Sequence, residues 1–276
     1  IGWMGFFLAA WTDYRKLRGW AWVVYVLLVI ALMGIFFTPA VHSVHRWYRL
    51  GGFDIQPSEI AKICVSLALA VCIDYYKEDM RRLGPTLIAM AIGLAPALLI
   101  VRQPDLGTAI ILVLMVVATL YAASAHRWIV GFLTGGLLTG AAVMGLIFTG
   151  VIPHTALKEP ALKVLKEYQY ERLMPGGYHQ KASQVAISLG GVSGKGWRQA
   201  DYTAQKWLPA AHTDSAFATY SEQFGLVGIL VLSLMLALLV YSCGLVAAGA
   251  RDYFGKILTV AITAGLGGHI LVNMGM

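Results

Sequence analysis

The stretch LVGILVLSLMLALLVYSCGLVAAGA, residues 226–250, contains no charged side chain. A helix rises about 1.5 Å per residue, so a run of this length can cross a hydrocarbon core about 30 Å thick. In that core every backbone N–H and C=O must be satisfied within the protein, which leaves helices and closed barrels as spanning forms. A barrel strand would show roughly ten residues of alternating polarity, and this run does not alternate. Similar apolar runs lie at 19–37, 58–75, 86–101, 107–124, 128–148 and 257–276, with a shorter one at 1–11. The expected fold is an all-α polytopic membrane protein: a helical bundle of about seven full spans plus one partial. The outermost runs reach both ends without polar flanks or a signal-peptide pattern. The sequence therefore reads as a single membrane domain, 1–276, truncated at both ends.

Composition agrees. The chain is 58% hydrophobic and 13% charged, with a mean hydropathy of +0.70, against about 25% charged residues in soluble domains. The net charge of +7 does not point to nucleic acid. Lys and Arg sit between apolar runs, and no basic block carries interleaved exposed aromatics. Cys64, Cys72 and Cys243 fall inside apolar runs with neither disulfide nor metal spacing.

Alternate short connections carry Arg15, Lys16 and Arg18; Lys77, Arg81 and Arg82; Arg127; and Arg251 with Lys256. The opposite ones carry only Arg46, Arg49 and Arg102. The positive-inside rule makes the first set cytoplasmic. That places the long polar loop, 149–214, outside. Within it, 161–174 reads as an amphipathic helix that lies on the membrane surface or in solvent. Residues 182–189 form an apolar piece too short to span.

Several residues are candidates for chemistry. Asp214 closes the outer loop in the run His212-Thr213-Asp214, just before helical sequence resumes; it is either a working carboxylate or a helix cap, and His212 is an alternative base. Glu222 lies two turns further on and is expected on the same side. Glu59 and Lys62, one turn apart on one helix face, form a structural ion pair or a substrate contact. Arg102 and Asp105 flank a Gln-Pro turn between two short spans. There Asp105 caps the next helix, or both groups line a wet cavity. Gly190 to Gly196 resembles a phosphate loop but has Gly196 where Ser or Thr should follow the lysine; it is a turn, or Lys195 and its glycines cradle a diphosphate. His269 and Asn273 share a face of the last span and are expected to make an interhelical hydrogen bond. His42 and His45 alone are weak metal ligands.

Taken in order, these motifs resemble the SEDS family (shape, elongation, division and sporulation; RodA/FtsW-like proteins), most closely its rod-shape members. The matching elements are His45-Arg46-Trp47, Gln56-Pro57-Ser58-Glu59 with Lys62, Gln103-Pro104-Asp105-Leu106-Gly107-Thr108, Gly190-Gly191 with Gly194-Lys195-Gly196, Leu208-Pro209, His212-Thr213-Asp214, and Glu222 with Gly225. Ala210, Ser215 and Gln223 depart from the family pattern. The resemblance implies a peptidoglycan glycosyltransferase that polymerises lipid II on the outer face of the bacterial cytoplasmic membrane. Asp214 would be the general base, and Glu59, Lys62, Arg102, Asp105, Lys195 and His212 would contact substrate. A divalent cation, Mg or Mn, would assist the diphosphate. The implied partners are lipid II, the nascent glycan, membrane lipids and a class B penicillin-binding transpeptidase. Two other functions compete: a lipid II flippase, and a non-catalytic scaffold for the transpeptidase.

Overall fold

Every apolar run is helical in the structure, a computed structural model that describes residues 2–38, 46–50, 53–152, 177–205, 207–211 and 213–275. The helices are α1 (Gly2–Trp11), α2 (Leu17–Gly34), α3 (Pro57–Tyr76), α4 (Leu83–Arg102), α5 (Leu106–Ala122), α6 (Arg127–Phe148), α7 (Tyr178–Gly190), α8 (Asp201–Ala204), α9 (Ala216–Ala248) and α10 (Tyr253–Gly275). The expected surface helix at 161–174, and His42, His45 and His212, lie outside the described residues.

Five of the seven expected spans coincide with segments long and apolar enough to cross a membrane: Tyr14–Phe37, Leu83–Arg102, Arg127–Phe148, Ala216–Ala248 and Tyr253–Gly275. The other two differ for physical reasons. α5 has 17 residues, at the short end of the spanning range. α3 is long enough but carries Glu59, Lys62 and Asp74. It tolerates them because Lys62 pairs with Glu59 and Asp74 with Arg18 toward its two ends, while the stretch from Ala61 to Ile73 is largely buried in a helix that packs against α2, α4 and α5. The protein is an all-α, multi-pass membrane bundle.

The chain divides into two compact units, Ile1–Thr134 with Ser242–Gly268, and Gly135–Tyr241 with His269–Met276. At one end of the first unit the Tyr14 hydroxyl donates to Asp252, Arg18 pairs with Asp74 at 2.7 Å, and Lys77 lies over the Tyr253 ring. These contacts join three connections that the charge distribution assigns to one side. The Tyr14 hydrogen bond also holds the Asp252 carboxyl below its ordinary pKa. Toward the other end, a short hairpin of β1 (Tyr48–Leu50) and β2 (Phe53–Ile55) pairs antiparallel, with Arg49 opposite Asp54. The Tyr48 hydroxyl anchors it by donating to the Ala31 carbonyl of α2 at 2.8 Å. Pro57 then starts α3 at a position where no N–H is needed.

Inside α4, Pro96 has no N–H to offer the Ile92 carbonyl four residues back. Tyr25 of α2 supplies the missing donor, its hydroxyl 2.8 Å from that oxygen. Tyr25→Phe keeps the ring and leaves the carbonyl unmatched. It should therefore lower stability by about 0.5–2 kcal/mol, read as a reduced melting temperature in detergent.

The second unit is organised around a break in α9. Gly225 adopts φ +61°, ψ −163°, a region essentially closed to other residues. An unbroken helix would bond the Leu226 N–H to the Glu222 carbonyl and the Val227 N–H to that of Gln223. Instead, Leu226 donates to Gly191 O (2.9 Å) and Val227 to Val192 O (3.2 Å). The two freed carbonyls accept from Lys195 N–H (3.0 Å) and Gly196 N–H (2.9 Å). The loop after α7 is thus inserted into the hydrogen-bond ladder of α9, and the two N–H groups and two carbonyls that the break separates each find a partner in it. α7 packs alongside: Ala182 and Ala186 are buried against Leu208 and Ala218. The expected short apolar piece therefore packs on the protein.

Candidate active site

Glu59, Lys62, Arg102 and Asp105 belong to the first unit, Lys195, Glu222 and Asp214 to the second. In the first unit, Lys62 Nζ donates to Glu59 Oε2 at 2.8 Å, with the lysine the more buried partner. Asp105 is the N-cap of α5. Its Oδ2 accepts from the Thr108 hydroxyl (3.0 Å), the Ser58 hydroxyl (3.0 Å) and Gln56 Nε2 (3.1 Å). These bonds tie the start of α3 to the start of α5. The preceding turn is satisfied from both sides. Arg46 donates to the carbonyls of Gln103, at 2.9 Å, and Pro104. The fully buried Gln103 side chain donates to Leu32 O at 2.9 Å. Arg102 has an exposed side chain at the end of α4, and the structure does not bring it onto Asp105.

In the second unit, Asp214 is half-buried in a turn at the mouth of α9. Thr213 and Ser215 both donate their N–H to the Ala210 carbonyl (3.0 and 3.1 Å). Ser215, rather than Asp214, holds the residue position directly before α9, and its carbonyl accepts the N–H of Thr219 at 3.0 Å. Asn273 near the end of α10 donates to Thr213 O at 3.3 Å. The Asn273 bond expected to run between helices thus goes instead to the turn that carries Asp214.

Glu222 is fully buried. Its Oε1 accepts from Lys195 Nζ (3.3 Å) and Tyr202 N–H (3.0 Å), and its Oε2 from Thr203 N–H (3.2 Å) and the Thr203 hydroxyl (2.8 Å). A carboxylate has about four lone-pair sites, and all are engaged. Lys195 thereby faces a carboxylate, while the N–H groups of Gly194, Lys195 and Gly196 are paired to backbone carbonyls. The glycine-rich segment is built as a turn that clasps α9.

Sequence reasoning missed a cavity of about 150 Å³ in this unit. Gln180 and Ser183 of α7 line it together with Ser215 and Asn273. Gln180 is 9% exposed and Ser183 4%. Among the described residues, Gln180 Oε1 and Ser183 Oγ have no hydrogen-bond partner. The signal was present: Gln180, Ser183, Gln184 and Ile187 fall at i, i+3, i+4 and i+7 of one helix face, opposite the packed alanines.

Among the described residues, no three His, Cys, Asp or Glu side chains converge on a metal site.

A multi-pass helical bundle with a half-buried carboxylate at the mouth of a long span is the class defined by this geometry. The chain belongs to the FtsW/RodA/SpoVE family, described as "Cell cycle protein", which it matches over residues 1–276. It is 33% identical over 275 residues to the peptidoglycan glycosyltransferase MrdB of Escherichia coli (strain K12), covering 95% of this chain and 69% of that one. It is 30% identical over 287 residues to the probable peptidoglycan glycosyltransferase FtsW of Trichlorobacter lovleyi, covering 99% and 71%. Among solved structures it resembles a peptidoglycan synthase complex that coordinates polymerization and crosslinking (TM-score 0.70, 24% identity, 98% of this chain and 73% of that one). It also resembles the rod shape determining protein RodA of Thermus thermophilus (TM-score 0.63, 20% identity, 98% and 70%). At these identities the structural likeness establishes the fold.

Proposed function

We propose that this chain is a peptidoglycan glycosyltransferase that polymerises lipid II at the outer face of the cytoplasmic membrane, with Asp214 as general base. The observation that carries the reading is family membership along the entire chain, with relatives named for this activity at 30–33% identity. In this reading the acceptor sugar hydroxyl attacks the donor anomeric carbon, and the bond from that carbon to the diphosphate oxygen breaks. The proton passes to the Asp214 carboxylate, and polyprenyl diphosphate leaves with the bonding electron pair. A diphosphate is a good leaving group, so one base suffices where a glycosidase generally needs two carboxylates.

The candidate cations differ in their local partners. A diphosphate approaching Lys62 or Lys195 competes with Glu59 or Glu222, whereas Arg102 is exposed and has no carboxylate within salt-bridge distance among the described residues. Arg102 is therefore proposed as a residue that offsets negative charge on the substrate. Asp105 is a positioning residue that joins α3 to α5, and His212 stays a candidate substrate contact by sequence. A divalent ion, Mg or Mn, would enter with the diphosphate and offset part of its charge. A class B penicillin-binding transpeptidase is the proposed partner, in keeping with the fold neighbour from a complex that both polymerises and crosslinks.

The test is to incubate the purified full-length protein with labelled lipid II and resolve the products on a gel. Glycan strands are the expected product, with longer or more abundant strands when the transpeptidase is added. Movement of lipid II across vesicles without polymer would replace the reading with a flippase. Transpeptidase binding with neither activity would make it a scaffold.

A further inference from the structure

The cavity in the second unit holds two buried polar atoms that nothing described in the protein satisfies, Gln180 Oε1 and Ser183 Oγ. Burying such atoms unpaired is costly, and native proteins rarely keep them without a use. Ser215, directly after Asp214, Gln184 and Asn273 add to the polar wall, Phe148 and Phe217 add apolar faces, and among the described residues no charged side chain lines the space. This chemistry discriminates among the parts of a lipid-linked sugar. A diphosphate would find no cation among the described residues here, and its oxygens, being acceptors, could not satisfy Gln180 Oε1. A polyprenyl tail would leave both polar atoms unmatched. An acetamido group fits both demands: its N–H can donate to Gln180 Oε1, its carbonyl can accept from Ser183, and its methyl can rest on aromatic carbon.

We propose that this cavity is a subsite for the acetamido arm of an N-acetylated sugar and the ring edge that bears it, with Gln180 and Ser183 as the recognition groups. The proposal deepens the polymerase reading and rests on it for the identity of the ligand. It is independent of Asp214 as the base.

The test compares two probes, lipid II and undecaprenyl diphosphate, which differ by the sugars and their attached peptide. Their affinities are measured for full-length wild-type protein and for Gln180→Met and Ser183→Ala, with melting temperatures alongside. Each variant should weaken lipid II binding by about tenfold and leave undecaprenyl diphosphate binding unchanged. Melting temperatures should hold or rise, because each change removes an unmatched polar atom from the interior. Unchanged lipid II affinity in both variants would mean a water-filled pocket only and would overturn the proposal. So would equal loss of both lipids, or a wild type that binds both equally well. If the sugar-dependent binding and its loss are seen but wild type makes no polymer, the subsite stands and the polymerase reading falls.

Discussion

Asp214→Asn should eliminate detectable glycan strands from lipid II while leaving the protein folded. Asparagine matches aspartate in shape and keeps one acceptor oxygen, but it cannot take a proton at neutral pH. Loss of a general base typically costs about 10²–10⁴ in rate, enough to bring a gel-based polymer signal to background. The fold should survive the change. Ser215 occupies the position before α9, and the turn is held by backbone bonds to Ala210 and by Asn273. The removed charge near a helix N-terminus is worth about 0.3–1 kcal/mol, a small shift in melting temperature. Asp214→Glu restores a carboxylate at the wrong reach and should recover only part of the rate. Activity of Asp214→Asn within tenfold of wild type would remove Asp214 as the base and turn attention to His212.

The membrane fold was legible because its signal is compositional. Uncharged runs such as 226–250 have few alternatives in a bilayer, and the charges between them order the connections. Legibility failed where a helix is not addressed to lipid. α9 begins at Ala216, ten residues before its apolar run; its first turns carry Ser221, Glu222 and Gln223, so hydropathy sees only the part beyond Gly225. The hairpin escaped notice although Gly51-Gly52 between Tyr48–Leu50 and Phe53–Ile55 is a turn signal; its strands are only three residues each.

Site residues divide along the same line. Asp105 as a cap could be read from Asp-Leu-Gly-Thr, because capping is local. Its bonds to Gln56 and Ser58 could not, since these partners lie 49 and 47 residues away. The Walker-like pattern at 190–196 left a turn and a diphosphate cradle both open for the same reason, and the structure builds the turn. Glycines that let a backbone approach a phosphate equally let it approach another backbone. A Cβ on Gly225 would come within 2.6 Å of Val192 O, so here the glycines serve chain against chain.

Glu222→Ala should destabilise the protein by about 3–5 kcal/mol, the range for breaking a buried charged pair by removing one partner. Four donors converge on that carboxylate from a segment 19 to 27 residues earlier in the chain. Alanine would leave the Thr203 donors and the Tyr202 N–H without an acceptor, and Lys195 without its counter-charge. The consequence should be local first. Residues 195–204 are held to α9 through this carboxylate and the exchanged ladder at Gly225, so proteolysis within 195–204 should accelerate before the spans unfold. Glu222→Gln separates structure from chemistry. It preserves volume and one acceptor but presents an N–H₂ to donors, and should cost about 1–3 kcal/mol. Each folded molecule should still polymerise lipid II at close to the wild-type rate, because a carboxylate whose lone pairs are all engaged by its own protein cannot accept a proton from a sugar. A Glu222→Gln protein that melts like wild type yet makes no polymer would reverse this assignment and make Glu222 a second catalytic acid beside Asp214.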